Sequence, residues 1–97
     1  MSQIIYNTAT HSAVTVTTNS GVALAANENR KYALFVNDSD TTIYLMIAAT
    51  AVANQGIRLN ANGGSYEMSL QLGNLCQKVV NAINGTGSKT LLVTEGA

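Results

Sequence analysis

The chain has few of the residues on which disulfides, metal centres and charged surfaces depend. Its 97 residues include one cysteine, Cys76, so an internal disulfide is excluded and Cys76 cannot form a zinc site alone. Charged residues make up only 10% of the chain, against ~25% in typical globular domains. The net charge is zero and the basic residues do not cluster. We therefore expect neither a nucleic-acid groove nor binding to an anionic membrane surface.

Long apolar segments are also missing. No apolar run approaches the ~20 residues of a membrane-spanning helix, and the start, MSQIIYNTATHSAV, lacks the charged beginning and apolar core of a secretory signal peptide. We expect synthesis in a reducing cytoplasm and one small domain over residues 13–97. Residues 1–12 are expected to form an N-terminal arm that is loosely ordered in the free protein and becomes ordered on assembly.

The dominant pattern is alternation with a period of two residues, which is typical of half-buried strands. In AVTVTT, for example, Val14 and Val16 share one face while Thr15 and Thr17 share the other. Together with the turn signals, this alternation predicts a small antiparallel β-sandwich or barrel. Its strands are predicted at residues 13–18, 31–37, 42–48, 56–59, 65–70, 79–83 and 89–95. Residues 48–55, AATAVANQ, suit either a helical turn or a loop.

The segment NRKYALFVNDSDTTIYLMIA, residues 29–48, predicts a hairpin whose two faces are both apolar. With residues 38–41 as its loop, the aliphatic side chains of both strands share one face, which we assign to the core. Phe35 then lies opposite Tyr44, beside Met46, on the other face. We expect Phe35, Tyr44 and Met46, with Tyr6 of the arm, to contact another chain. The alternative is that the opposite sheet of the same sandwich covers this face.

Turn chemistry explains the remaining polar motifs. Asn84-Gly85 predicts a second hairpin, between residues 79–83 and 89–95, and residues 60–64, NANGG, supply positive-φ positions for a tight reversal. Asp38-Ser39-Asp40 suggests calcium, but the EF-hand positions for glycine and glutamate hold Ile43 and Ala49. A turn is therefore the better interpretation.

Two residues, His11 and Cys76, are candidates for reactive chemistry. They could in principle act as a base and a nucleophile, but neither lies in a recognisable catalytic pattern. A small buried hydrophobe is the more common role of such a cysteine. The sequence predicts no enzyme, no cofactor and no metal site.

Three runs resemble the small virion proteins of tailed bacteriophages: NRKYALFVNDSDTTIYL, GIRLNANGGSYEM and VVNAINGTGSKTLLVTE. Those proteins often combine an arginine-led strand, a VN-x-S/D turn, an IYL strand, a glycine turn before a Tyr-Glu strand, and a terminal valine-threonine-glutamate strand. The resemblance covers residues 27–95.

The resemblance implies a non-enzymatic β-sandwich on the capsid surface. It implies a decoration (cement) protein that binds the major capsid protein and stabilises the head, as a homo-oligomer such as a trimer. The alternative is a carbohydrate- or receptor-binding module of a tail or head fibre.

Overall fold

The computed structural model describes residues 7–97, which form two antiparallel four-stranded sheets. The strands are β1 (Ala9–Val16), β2 (Gly21–Leu24), β3 (Tyr32–Asn37), β4 (Ile43–Ile47), β5 (Ile57–Leu59), β6 (Ser65–Ser69), β7 (Val80–Asn84) and β8 (Lys89–Gly96). These residues include no helix that could cross a membrane. The predicted all-β sandwich is confirmed.

The two sheets have the strand orders β1-β8-β3-β6 (sheet A) and β2-β7-β4-β5 (sheet B). Each connection therefore crosses from one sheet to the other, except that β4 leads to its own neighbour β5. This is the strand order of an eight-stranded jelly roll, a double-sheet architecture. Its core lies between the sheets and comprises Val16, Ala23, Ala33, Phe35, Ile43, Leu45, Leu59, Met68, Val80, Ala82, Leu91 and Val93.

The predicted hairpin between β3 and β4 is wrong, because these strands lie in different sheets. β3 pairs with β6 and β8, whereas β4 pairs with β5 and β7. Each strand turns one of its two apolar faces toward the shared core. On β3 the inward residues are Ala33 and Phe35, and on β4 they are Ile43 and Leu45. The aliphatic face of β3, predicted to lie in the core, is therefore its outward face, and the prediction is wrong for this strand.

A buried asparagine holds the crossing between β3 and β4. Asn37 has no solvent exposure, and its Nδ2 donates hydrogen bonds to the carbonyls of Thr41 (2.7 Å) and Leu59 (3.0 Å). Leu59 belongs to sheet B, so the amide connects the end of a sheet A strand to the opposite layer. The Thr41 partner is local to the turn, whereas the Leu59 hydrogen bond satisfies the buried amide from the opposite sheet and so stabilises the crossing.

The second predicted hairpin, between β7 and β8, is wrong for a related reason. β7 lies in sheet B and β8 in sheet A. Asn84, at the end of β7, is also buried. Its Nδ2 donates to the carbonyl of Val16 in sheet A (2.8 Å), while its Oδ1 accepts hydrogen bonds from the backbone amides of Thr86 and Gly87. The turn was predicted correctly, but it crosses between the layers.

Smaller differences concern the strand ends and one missing strand. β1 begins at Ala9, so residues 9–12 belong to the domain and the predicted arm boundary at residue 12 is wrong. β2 was not predicted because it is short and its register shifts between Val22 and Leu24. Residues 48–56 form a loop, the second of the two predicted alternatives.

The glycine turn at residues 60–64 is confirmed, with positive φ at Asn62 (61°) and Gly63 (111°). It joins β5 to β6 and packs against the turn after β3, where the Gly63 amide donates to the carbonyl of Asn37 (2.8 Å). Gly64 is needed for close packing, since a Cβ there would lie 2.3 Å from the backbone nitrogen of Asn60. The two turns thereby support each other at one end of the sandwich.

Candidate interaction surface

The strongest candidate for a functional surface is the outer face of sheet A, the side directed away from the core. Its side chains follow from the strand register, because residues directly opposite each other on paired strands share a face. They are His11, Ala13 and Thr15 of β1, Thr90, Leu92 and Thr94 of β8, Tyr32, Leu34 and Val36 of β3, and Ser65 and Glu67 of β6.

An apolar strip crosses this face at right angles to the strands. The register places Ala13 opposite Leu92, and Leu92 opposite Val36. Leu92 is 40% exposed although it lies on a central strand of the sheet. Val36 is half-buried and Ala13 is exposed. We call these three residues the apolar strip; Leu34 lies beside them on β3.

Four polar side chains of the outer face form two hydrogen-bonded pairs across strands. His11 Nδ1 lies 3.0 Å from Thr94 Oγ1, and the Tyr32 hydroxyl donates to Glu67 Oε2 at 2.6 Å. Among the residues of this face, only Glu67 carries a formal charge when His11 is neutral. The arrangement suits contact by apolar packing and hydrogen bonds more than electrostatic steering.

The outer face of sheet B is partly covered by the chain itself. The loop of residues 48–56 packs against it: the Tyr44 hydroxyl donates to Asn54 Oδ1 (2.9 Å), and Asn81 Nδ2 donates to the carbonyl of Ala49 (2.6 Å). Gly56, at φ +81°, lies so close that an added Cβ would be 3.3 Å from Met46 Sδ. Tyr44 and Met46 are consequently half-buried.

Phe35, Tyr44 and Met46, three of the four predicted contact residues, do not form one surface. Phe35 has no solvent exposure and packs in the core, so its prediction as a contact residue is wrong; the opposite sheet covers it. Tyr44 and Met46 lie on the outer face of sheet B. The predicted hairpin had placed them next to Phe35. Their contact with another chain stays a prediction. Tyr6 lies outside the described residues.

The candidates for reactive chemistry occupy separate places. His11 is on the outer face of sheet A, whereas Cys76 is a half-buried free thiol between β6 and β7. Within residues 7–97, no group of three or more His, Cys, Asp or Glu side chains could hold a metal ion.

The Asp38–Asp40 segment is a turn, as predicted, but its backbone is capped by other side chains. Ser39 Oγ accepts a hydrogen bond from the Thr41 amide (3.2 Å). Asp40 instead accepts one from Lys89 Nζ at 2.8 Å. This hydrogen bond and the ammonium charge lower the pKa of the Asp40 carboxyl below its ordinary value of 3.8. Asp40 thus links the turn to β8.

Sequence reasoning missed the buried role of Arg30, whose side chain has no solvent exposure. Its Nε donates to Glu95 Oε2 at 2.7 Å. Its Nη1 donates to the carbonyls of Cys76 (2.6 Å) and Lys78 (3.0 Å), and its Nη2 donates to that of Ala25. The sequence contained a signal for this buried role, since the chain has few charges and Arg30 is one of them, close before the buried strand β3.

Beside Arg30 lies an open depression of about 460 Å³ lined by Asn7, Thr8, Glu28, Asn29, Lys31, Leu70, Gln77 and Ala97.

No protein-family model, curated protein or solved structure matches this chain significantly.

Proposed function

We propose that this chain is a non-enzymatic structural protein of a bacteriophage virion. In this proposal it decorates the capsid surface, binds the major capsid protein through the outer face of sheet A, and stabilises the head. The observation that carries the proposal is the apolar strip of Ala13, Leu92 and Val36 across a sheet face on which, among residues 7–97, Ala13 and Leu92 are exposed. The resemblance of three sequence runs to small phage virion proteins supplies the partner class.

The small area of the outer face of sheet A favours binding to the capsid by many copies at once. Four strands spaced ~4.8 Å apart, each five to eight residues long, present roughly 400 Å². Stable protein interfaces bury about 800 Å² on each partner. One copy therefore binds weakly, whereas a homo-oligomer placed on a repeating lattice gains from several simultaneous contacts.

Capsid binding tests the proposal with two matched variants. Leu92→Lys places an ammonium in the apolar strip at a position that is 40% exposed, and Val22→Lys makes the same change on the outer face of sheet B, where Val22 is 58% exposed. Both variants should stay folded because both side chains already reach solvent. Cosedimentation with empty phage capsids that bind the wild type should weaken about tenfold or more for Leu92→Lys.

Val22→Lys should bind as the wild type does. Wild-type protein that cosediments with none of the phage capsids tested contradicts the proposed function. Equal binding by Leu92→Lys and wild type contradicts the assignment of the outer face of sheet A. Loss of binding by Val22→Lys alone would transfer the contact to the face that carries Tyr44 and Met46.

One feature favours the alternative function, a carbohydrate- or receptor-binding module of a tail or head fibre. The depression beside Arg30 is lined by side chains that hydrogen-bond to sugars well, among them Asn29, Glu28 and Gln77. Gln77 is already oriented, since its Nε2 donates to the carbonyl of Glu28 at 2.7 Å. Binding of the wild type to host-cell glycans, lost in Asn29→Ala and kept in Leu92→Lys, would support this alternative.

A further inference from the structure

We propose that β1 is an open sheet edge through which two copies of this chain pair, antiparallel and about a two-fold axis. This inference does not rest on the proposed function, because it concerns the edge of sheet A and not the partner of its outer face.

The backbone groups on the free side of β1 can be identified from its end. The Thr8 amide donates to the Ala97 carbonyl (2.9 Å) and the Ala97 amide donates to the Thr8 carbonyl (3.0 Å). In an antiparallel pair, residues that exchange hydrogen bonds alternate with residues that do not. Even-numbered residues of β1 therefore bond to β8, and the N–H and C=O groups of Ala9, His11, Ala13 and Thr15 point away from the sheet.

The edge formed by β1 lacks the features that protect sheet edges from pairing. Native edges are usually short, bulged, charged or covered. β1 pairs with β8 over eight consecutive residues without a register shift. Its sequence, ATHSAVTV, contains no Lys, Arg, Asp or Glu, and the chain has no proline.

The other three edges carry such protection. β6 is covered by Asn74, whose Oδ1 accepts from the Ser69 amide (3.0 Å) and whose Nδ2 donates to the Glu67 carbonyl (2.9 Å). β5 is three residues long and carries Arg58. β2 is four residues long and its register shifts. Among the described strands, β1 is thus the edge that remains ready to accept another strand.

β1 is complementary to itself in this arrangement. Directly opposed residues must share a face and must both direct their hydrogen-bonding groups toward the partner. A two-fold axis at Ala13 meets both conditions: Ala13 faces Ala13 of the second copy, and His11 faces Thr15. Each of these pairs exchanges two backbone hydrogen bonds. The small side chain on the axis lets the two sheets approach.

The outer face of sheet A favours a second copy of this chain, rather than a strand of a different protein, as the partner of β1. With the axis at Ala13, the apolar strip continues from one copy into the strip of the other, so the combined surface is one uninterrupted row. Self-pairing brings no like charges together, because β1 carries none. A strand from a different protein would find no charged side chain on β1 to select it.

Proline at Ala13 tests the edge directly. Ala13→Pro removes an N–H that faces away from β8, so the β1–β8 ladder keeps its hydrogen bonds and the domain should stay folded. The matched control, Ala13→Val, keeps that N–H and favours a strand. In sedimentation velocity over a concentration series, wild type and Ala13→Val should dimerise, while Ala13→Pro should stay monomeric with an unchanged circular dichroism spectrum.

A charge pair keeps the test decisive if the proline variant unfolds. Ala13→Lys and Ala13→Glu each bring like charges together on the axis and should be monomeric alone, whereas their equimolar mixture should form the heterodimer. Monomeric wild type at all concentrations overturns the inference, as does a folded Ala13→Pro that still dimerises. If the wild type stays monomeric until capsid protein is added, the partner of β1 is a different chain, and the inference of self-pairing is overturned as well.

Discussion

At the scale of single residues, Arg30 replaces hydrogen bonds that regular structure does not supply. The segments around Ala25 and Cys76 belong to no strand, so no sheet ladder supplies donors to their carbonyls, and the Arg30 side chain does so instead. One planar guanidinium provides donors to both segments and to the Glu95 carboxylate. Arg30 thus connects two loops to the last strand of the chain.

Arg30→Lys should remove most of this stabilisation, because a single ammonium cannot reach three segments in the fixed geometry of the fork. We expect the free energy of unfolding to fall by about 1–3 kcal/mol for each carbonyl that loses its donor, since lysine keeps the charge opposite Glu95 but not the fork of N–H groups. Urea denaturation measures it. The exposed Arg58 provides the control, and Arg58→Lys should change little. An Arg30→Lys protein as stable as the control would show that the buried guanidinium contributes no net stability.

At the scale of elements, the turns decide which sheet the next strand enters. Asn37 and Asn84 end β3 and β7, and each donates a side-chain hydrogen bond to a carbonyl in the opposite sheet. A turn is usually read as a local feature that returns the chain to its neighbour. Here a long-range contact of the turn residue directs the chain across the core.

Asn37→Ala should destabilise the sandwich at the crossing between β3 and β4. It leaves the buried Leu59 carbonyl without its side-chain donor, at a cost of about 1–3 kcal/mol for one unsatisfied group. The Thr41 carbonyl keeps the hydrogen bond from Ser39 Oγ (3.0 Å). Chemical denaturation of Asn37→Ala beside Asn19→Ala, which changes an exposed turn residue, measures the difference. Equal stabilities for the two variants would contradict the role of the buried amide.

At the scale of the whole molecule, the first and last strands meet in one sheet. β8 lies between β1 and β3 in sheet A, so strands from the beginning, middle and end of the sequence pair directly. Folding must close these long loops before the pairings stabilise the chain, which places it among the slower small domains, in the range of milliseconds to seconds.

Truncation after residue 88 distinguishes this topology from a chain of hairpins. In hairpin order β8 would be an edge strand, and its loss would leave the other strands paired. In the jelly roll its loss separates β1 from β3 and exposes the core under Leu91 and Val93. We expect the truncated chain to lose its cooperative thermal transition and its β circular dichroism spectrum. A cooperative transition in the truncated protein would contradict the central position of β8.

The sequence by itself determined where most strands and turns lie. Alternation located seven of the eight strands, because a strand that is buried on one side must alternate whatever its partners are. Turn chemistry located the reversals at residues 38–41, 60–64 and 84–88, since positive φ and side-chain caps are local requirements. Both signals are carried by residues that are near each other in the chain.

Only the tertiary structure decided which strands pair and which faces are inside. Backbone hydrogen bonds are the same for every strand, so alternation cannot distinguish a hairpin from a crossing to the opposite sheet. In a strand with two apolar faces, such as β3, it also cannot choose between Phe35 and Leu34 as the buried side chain. In the structure Phe35 shares the inward face of β3 with the buried Asn37, and Leu34, Val36 and Leu92 lie on the outward face of sheet A. The candidate surface therefore could not be predicted from the sequence, because it consists of the apolar side chains that do not enter the core.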